Sequence, residues 1–434
     1  MTIFEADWIC PVSGPPIPGG SLAVEGETIA GVGSNNFANA NRVSFPGCAI
    51  IPGFVNAHAH LELTVLRGFL EDMPFDSWIP RLTRAKYQQL TRDEMLQSAR
   101  LGAIEMLRAG VTCVAEVMDL GVSWHAMREF GLRGIAYQEV FGPAEIQTED
   151  AMAGLRKKVA EYRRDETDTL RAGVSPHAPY TVSAKLFGAV NDYAQQEGLR
   201  LTTHIAESSE EGLFVRNGTG PFADNHRKRG IEVTPAGCSP IAYLDRFGLL
   251  RPEMLLIHAI DLEDSDLDIL NARRPAVVHC PKSNAKLAHG ISRITEIRKT
   301  GISIGLGTDS VSSNNVIDIF EEMRAAIFQQ RARTHRWDAL DAYSVFRMAT
   351  LGGAACLGLE SRLGSLDIGK CADFVVVSLD DPALHPVYDP VQTMVYSASR
   401  HNVKATYLRG QEVRTDPSEI MKKFESIPSR LRLT

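Results

Sequence analysis

The chain has 434 residues, 46 Lys+Arg against 53 Asp+Glu, a formal net charge of -7, and 44% hydrophobic and 23% charged residues. That balance is close to an ordinary globular protein and excludes extended disorder, because apolar surface is sufficient to offset chain entropy. The mild acidity and the shortness of the basic cluster Arg227-Lys228-Arg229 argue against a nucleic-acid-binding surface, and no run of ~18 apolar residues is present to span a membrane.

In chain order, residues 21–25, 28–32 and 43–51 read as short strands punctuated by glycine. Gly53-Phe-Val-Asn-Ala57 opens a different pattern. Further buried-type strands follow at 112–115, 133–137, 171–175, 200–204, 254–258, 276–279 and 303–307, making eight. Helical stretches lie between them, among them 91–109, 184–197 and 317–333, the first preceded by a capping box at Thr91-Arg-Asp-Glu94. Alternating strand and helix imply a parallel sheet, and eight repeats favour a closed barrel over an open sheet. Short strands return at 372–377, 403–407 and 410–413. Neither terminal piece is long enough to bury a core alone, so the two are expected to pack together. The expected architecture is α/β: a (β/α)8 TIM barrel over 53–361, interrupting a small discontinuous β-sandwich built from 1–52 and 362–434.

The seven cysteines are odd in number, widely spaced (Cys10, Cys48, Cys113, Cys238, Cys280, Cys356, Cys371) and form no CxxC pair. They read as reduced thiols of a cytoplasmic protein, and residues 1–10, with Glu5 and Asp7 and no basic stretch, do not read as a secretory leader. Any metal must therefore be held by histidine and carboxylate.

Such residues sit at the ends of the expected strands: His58 and His60 after the first, His204 at the fifth, His258 at the sixth and Asp309 after the eighth. In a (β/α)8 barrel these ends converge on one mouth. Residues two apart on a strand share a face, so His58 and His60 can reach one ion, and His204 with Asp309 complete a set of three imidazoles and one carboxylate. Glu207, three residues beyond His204, reads either as an acid near a helix N-terminus or as a general acid/base at the site. Ser208 and Ser209 are the better N-caps, which leaves Glu207 on the loop ahead of the helix. His258 has a blander reading as a barrel-lining histidine, and His279 and Asn284 as braces of their loop. His177, pinned between Pro176 and Pro179, is suited to substrate contact.

Together these motifs resemble the amidohydrolase superfamily, and within it the cytosine-deaminase-like branch of methylthioadenosine/S-adenosylhomocysteine deaminases, aminodeoxyfutalosine deaminases and triazine hydrolases. The resemblance is carried by Pro52-Gly-Phe-Val-Asn-Ala-His-Ala-His60, Ser175-Pro-His-Ala-Pro-Tyr180, Thr203-His-Ile-Ala-Glu207, His279-Cys-Pro-Lys-Ser-Asn284, Gly307-Thr-Asp-Ser310 with Ser313-Asn-Asn315, and Gly364-Ser-Leu-Asp-Ile-Gly-Lys-Cys-Ala-Asp373. It implies one divalent ion, zinc or ferrous iron, on His58, His60, His204 and Asp309, and no carbamylated-lysine bridge, because strand four offers His177 where binuclear relatives place lysine. It also implies that Asp309 and His258 orient the attacking water and accept its proton, while Glu207 protonates the heterocycle. Some triazine dechlorinases of the branch lack this glutamate, so its presence favours deamination.

The resemblance further implies substrate contacts at His177, Trp78, Tyr87 and Gln138. Tyr87 stands where methylthioadenosine-type deaminases carry a ribose-gripping glutamate, and Gln138 and Glu139 stand where an arginine would meet a substrate carboxylate. The loop 211–230, with Arg216 and Arg227, resembles that of aminodeoxyfutalosine deaminases; an arginine from it would neutralise an anionic substituent, or the basic run is simply a solvated face. The expected function is deamination of an aminated heterocycle, foremost an adenine-type nucleoside (aminodeoxyfutalosine, or a methylthioadenosine-, S-adenosylhomocysteine- or adenosine-like compound). The alternatives are a triazine-type chlorohydrolase or a cyclic-amide hydrolase and, more distantly, a catalytically silent metal-binding scaffold. The expected partner is a small heterocyclic substrate, without nucleic acid or membrane. Barrels of this branch often assemble as homo-oligomers.

Overall fold

A computed structural model describes residues 1–33 and 41–432; residues 34–40 and 433–434, within the expected terminal domain, lie outside the described residues. The chain opens with β1 (Thr2–Ile9), β2 (Ile17–Pro18), β3 (Ser21–Glu25), β4 (Thr28–Gly33) and β5 (Asn41–Pro52). Eight strands alternating with helices follow: β6 (Phe54–Ala59), β7 (Val111–Met118), β8 (Arg133–Val140), β9 (Leu170–Pro176), β10 (Arg200–Ile205), β11 (Met254–His258), β12 (Ala276–His279) and β13 (Ile304–Leu306). The last strands are β14 (Phe374–Ser378), β15 (Val403–Leu408) and β16 (Gln411–Glu412).

The terminal strands make one mixed sheet in the order β16-β15-β14-β5-β1-β3-β4, with β2 on β1. The two chain ends meet where β5 runs antiparallel to β14, so neither end completes the sheet alone. Phe4, Phe374 and Tyr407 fill its apolar side, the last two stacked at 4.4 Å. A buried ion pair between Arg133 of β8 and Asp373, beside β14, ties this sheet to the barrel.

The strands β6 to β13 pair in sequence, the register expected of a (β/α)8 barrel. Ala59 bridges Asp309 across the seam, and the Asp309 N–H donates to the His58 carbonyl at 3.0 Å. Closure thus happens at the mouth and involves two of the ionisable residues expected there. A Cβ on Gly307 would lie 2.9 Å from His58 Cβ and from Val278 Cγ1, so the missing side chain lets the chain after β13 press against β6 beneath the site. The helix Arg92–Arg108 begins with the expected capping box on Thr91. All seven cysteines are free, and among the described residues no helix is long and apolar enough to cross a membrane.

Candidate active site

Strict alternation alone does not aim the histidines. Val55 and Ala57 face the barrel interior, and between Asn56 and Ala59 the pairing of β6 with β7 shifts register. Beyond that irregularity His58 and His60 both project into the mouth, the re-aiming that strand bulges commonly provide. Positive φ angles at Ala206 (51°), His258 (75°) and Asp309 (57°) turn the chain sharply at three other strand ends. Non-glycine residues enter this region at a cost, and they cluster at functional sites.

His58, His60 and His204 bring ring nitrogens within 4.8 Å of one another, and His58, His258 and Asp309 form an overlapping group. The His60 and His204 rings lie nearly parallel, 5.5 Å apart. His60 Nδ1 meets the Val117 carbonyl at 2.9 Å and His204 Nδ1 meets the His177 carbonyl at 3.2 Å. A carbonyl only accepts, so each Nδ1 carries the proton and each Nε2 offers a lone pair to the centre. Both ring nitrogens of His58 are buried and, among the described residues, without a hydrogen-bond partner. Burial, reinforced by the neighbouring imidazoles, lowers His60 to about 3 and His204 well below the usual histidine range. The centre is therefore a set of neutral imidazoles with Asp309 Oδ1 at 3.2 Å from His58 Nε2 and 3.6 Å from His60 Nε2. Orphaned neutral nitrogens beside a carboxylate are the donor set of a zinc-type cation and a costly arrangement without one. Asp309 Oδ2 accepts hydroxyl hydrogen bonds from Ser283 at 2.5 Å and Ser313 at 3.0 Å, which fix the carboxylate plane.

Glu207 sits beside this set. Its backbone N–H and that of Ala206 donate to the Glu211 carboxylate at 2.9 and 2.8 Å, and Ser208 caps the helix Ser209–Asn217. Glu207 is thus held ahead of the helix, as the serine pattern implies. Burial, with the charge of Asp309, raises its carboxyl well above the ordinary glutamate range, which biases it toward its protonated form. His258 Nε2 lies 3.4 Å from Glu207 Oε1, and His258 Nδ1 meets Asn284 Oδ1 at 2.8 Å, leaving a lone pair on Nε2.

A cavity of about 1010 Å³ opens over the site. His177, Trp78 and Tyr87 line it, as do Lys86, Glu139, Tyr180 and Phe222. Tyr180 and Phe222 stack at 4.0 Å and form an aromatic shelf with Phe75. Tyr87 presents its ring, since its hydroxyl donates to Asp119, which also pairs with Lys86 at 2.8 Å.

Gln138 is not at the mouth. It is buried outside the barrel, its amide donating to the Asp119 carbonyl at 2.8 Å and its oxygen accepting from the Tyr162 hydroxyl at 2.9 Å. The reason is the period of the strand: Ile135 and Tyr137 face inward, so Glu139 does too and Gln138 cannot. Glu139 Oε1 is buried, without a hydrogen-bond partner among the described residues, 3.8 Å from His177 Nε2.

The expected loop 211–230 is mostly helical, as Ser209–Asn217 and Pro221–Lys228. Gly218 and Pro221, read as loop residues, are a left-handed C-cap and a first-turn proline. Arg216 is committed to Asp261 and Glu263, and Arg227 to Asp224 and the Gly218 carbonyl, while Lys228 and Arg229 line the cavity rim. Sequence reasoning also passed over Lys86 and His289. Lys86 is adjacent to Tyr87 but lies at no strand end and in no motif, and nothing in the local pattern around His289 signals its position.

The amidohydrolase family model matches residues 49–413. A 5-methylthioadenosine/S-adenosylhomocysteine deaminase of Syntrophobacter fumaroxidans is 32% identical over 421 residues, covering 95% of this chain and 92% of the relative. Among solved structures, a zinc-bound adenosine deaminase from Xanthomonas campestris superposes with a TM-score of 0.88 at 28% identity, covering 100% of this chain and 99% of its own. A zinc-complexed atrazine chlorohydrolase from Arthrobacter aurescens superposes with a TM-score of 0.85 at 20% identity over 98% and 100% of the two chains, a likeness of fold.

Proposed function

The chain belongs to the amidohydrolase family, and from that premise we propose that it is a metal-dependent aminohydrolase that deaminates an adenine-type nucleoside and releases ammonia. The observation that carries this reading is Glu207, a buried carboxyl biased to its protonated form, beside three neutral imidazoles and a carboxylate. Deamination needs both: a nucleophile available at neutral pH and an acid for the ring nitrogen.

His58, His60, His204 and Asp309 would hold one divalent ion, zinc or ferrous iron, which when bound supplies Lewis-acid activation of water near neutral pH. His258, its Nδ1 proton committed to Asn284, presents the Nε2 lone pair that accepts a proton from the attacking water, with Asp309 beside it. Glu207 gives its proton to the ring nitrogen next to the amino-bearing carbon, which makes that carbon electrophilic. A proton then passes to the amino group, the C–N bond breaks, and the oxygen of water stands where nitrogen was. Burial favours the protonated form of Glu207, the form this step requires.

His177 is a substrate contact in this reading. Thr181 spends its hydroxyl proton on the Ala178 carbonyl at 3.1 Å, so it accepts from His177 Nδ1 at 2.8 Å and leaves Nε2 free to accept from the substrate. Trp78 and the Tyr180–Phe222 shelf bind apolar surface, Tyr87 contributes its ring, and Glu139 takes the contact first assigned to Gln138. The cavity exceeds the need of a bare triazine or single heterocycle, which supports a nucleoside over the chlorohydrolase alternative. Lys228 and Arg229 at the rim support a substituent ending in an acid, as in aminodeoxyfutalosine. We take residues 53–361 as the catalytic domain and 1–52 with 362–434 as its flanking domain, and the unpaired cysteines suit the cytoplasm.

Ammonia release by zinc-loaded enzyme over a panel of adenine nucleosides tests the function. Turnover of adenosine, methylthioadenosine, S-adenosylhomocysteine or aminodeoxyfutalosine supports it. Chloride or carboxylate production, with no ammonia from any nucleoside, overturns it.

A further inference from the structure

Among the described residues no hydrogen bond reaches the Glu207 carboxyl oxygens, although the proposed function asks this group to aim a proton. Two imidazoles approach it instead, and both approach the same oxygen: His258 Nε2 at 3.4 Å and His289 Nε2 at 3.6 Å from Oε1. The His289 side chain is only 3% exposed, and among the described residues its Nε2 has no hydrogen-bond partner. The ring is not there by accident of a mobile loop. Its backbone N–H donates to the Asn284 carbonyl at 2.9 Å, and its ring packs nearly perpendicular to that of Phe75 with centroids 4.5 Å apart. Asn284 therefore ties down both imidazoles, His289 through its main chain and His258 through its side chain.

The tautomers distinguish the two. His258 Nε2 carries a lone pair, because its proton is on Nδ1. Two lone pairs facing one carboxyl oxygen would leave only one of them satisfiable by the single acid proton. An N–H from His289 gives Oε1 a donor, so the acid proton is carried on Oε2, toward the substrate, and the His258 lone pair is kept for the attacking water. Contacts slightly beyond hydrogen-bond length are common at catalytic groups before ligand binds and tighten with it.

Resting on the assignment of Glu207 as the acid, we infer that His289 is a positioning residue that donates its Nε2–H to Glu207 Oε1 and turns Oε2 toward the ring nitrogen of the substrate. It gives up no proton and touches neither substrate nor metal donors. Burial, which lowers His289 to about 4, keeps it neutral throughout.

His289→Phe keeps the edge-on packing against Phe75 and removes the donor. A lost hydrogen bond to an ionisable group predicts a kcat about thirtyfold lower, with KM within twofold and bound zinc unchanged. His289→Gln, whose amide is long enough to reach Oε1, restores most of the loss, whereas His289→Asn, too short, does not. The Asn and Gln pair gives the same reading if phenylalanine is not tolerated by the fold. Because His289 acts only through Glu207, the double variant Glu207→Gln/His289→Phe turns over no more slowly than Glu207→Gln. Wild-type kcat in His289→Phe, or the full single-variant loss repeated in the Glu207→Gln background, overturns the inference while leaving the proposed function intact. Wild-type turnover in Glu207→Gln would overturn the acid assignment itself and this inference with it.

Discussion

The two walls of the mouth meet at His177 and are assembled differently. The metal-facing wall is made of strand ends, β6, β10 and the turn after β13; backbone carbonyls of Val117 and His177 fix His60 and His204, and the hydroxyls of Ser283 and Ser313 fix Asp309. The substrate-facing wall is made of the helix Phe75–Arg84, the π-helical turn Ala85–Gln89, the end of β8 and the helices Ser209–Asn217 and Pro221–Lys228. Sheet hydrogen bonding leaves the first wall few alternatives. The second is set by how helices pack over the barrel, and it is the part of such folds that varies with substrate.

The sharpest test of that contrast is a break in the first wall. His204→Ala or Asp309→Ala should bring metal content, read by elemental analysis, to a small fraction of the wild type and turnover to background, because removing one of four donors leaves the others buried and unsatisfied. A variant that keeps zinc and activity would show that the donor set is wrongly drawn. Glu207→Gln is the next largest effect. Metal content should be unchanged and kcat lower by about a thousandfold, the usual contribution of a positioned general acid. If metal falls with activity, Glu207 belongs to the first wall and not to the proton chemistry.

The difference between the walls also explains what the amino-acid sequence made legible. Strand periodicity and eight alternating units are local signals, so the barrel and the sheet shared by the chain ends could be read directly. His58, His60, His204 and Asp309 could be placed because a strand end has only one mouth to face. Gln138 went wrong although the needed signal was present: Tyr137 faces inward, and alternation then selects Glu139. His289 had no such signal. It reaches Glu207 only through the turn after the helix Pro281–Lys286, and its position depends on Phe75, more than two hundred residues away in sequence. Residues 211–230 read as a loop although they are mostly helical, because glycine and proline serve equally as loop residues and as helix caps.

A graded response is expected from the second wall. Glu139→Gln should raise KM about tenfold and leave metal content unchanged, since it loses one buried acceptor facing the substrate. Gln138→Leu should leave KM within twofold and lower Tm, because its amide binds Asp119 and Tyr162 and not the cavity. Reversed effects would return the contact to Gln138.

The smallest effect concerns acid groups that both regions bury. Glu139 at the substrate wall, Glu211 behind Glu207, and Glu322 away from the cavity are each pushed up to about 8, chiefly by burial. A glutamate in the unfolded chain ionises near ~4.3. Between these values the folded chain holds protons that the unfolded chain has released. Their contribution to stability is therefore fully present below about 4.3 and is lost as pH rises through about 8. Tm should fall by a few degrees between pH 6 and 8.5. Glu322 isolates the effect from substrate binding, for it accepts from the Asn314 side chain at 2.6 Å and the Lys282 backbone N–H at 3.2 Å. In Glu322→Gln the amide nitrogen cannot accept from Lys282, so Tm is lower at every pH, but the slope against pH flattens because this group no longer ionises. The same substitution at Glu139 should flatten the slope and also remove a pH dependence from KM, which Glu322→Gln leaves in place. Parallel Tm slopes in wild type and Glu322→Gln would mean that the buried carboxyl is already ionised, and that Lys282 stabilises its charge more than burial opposes it.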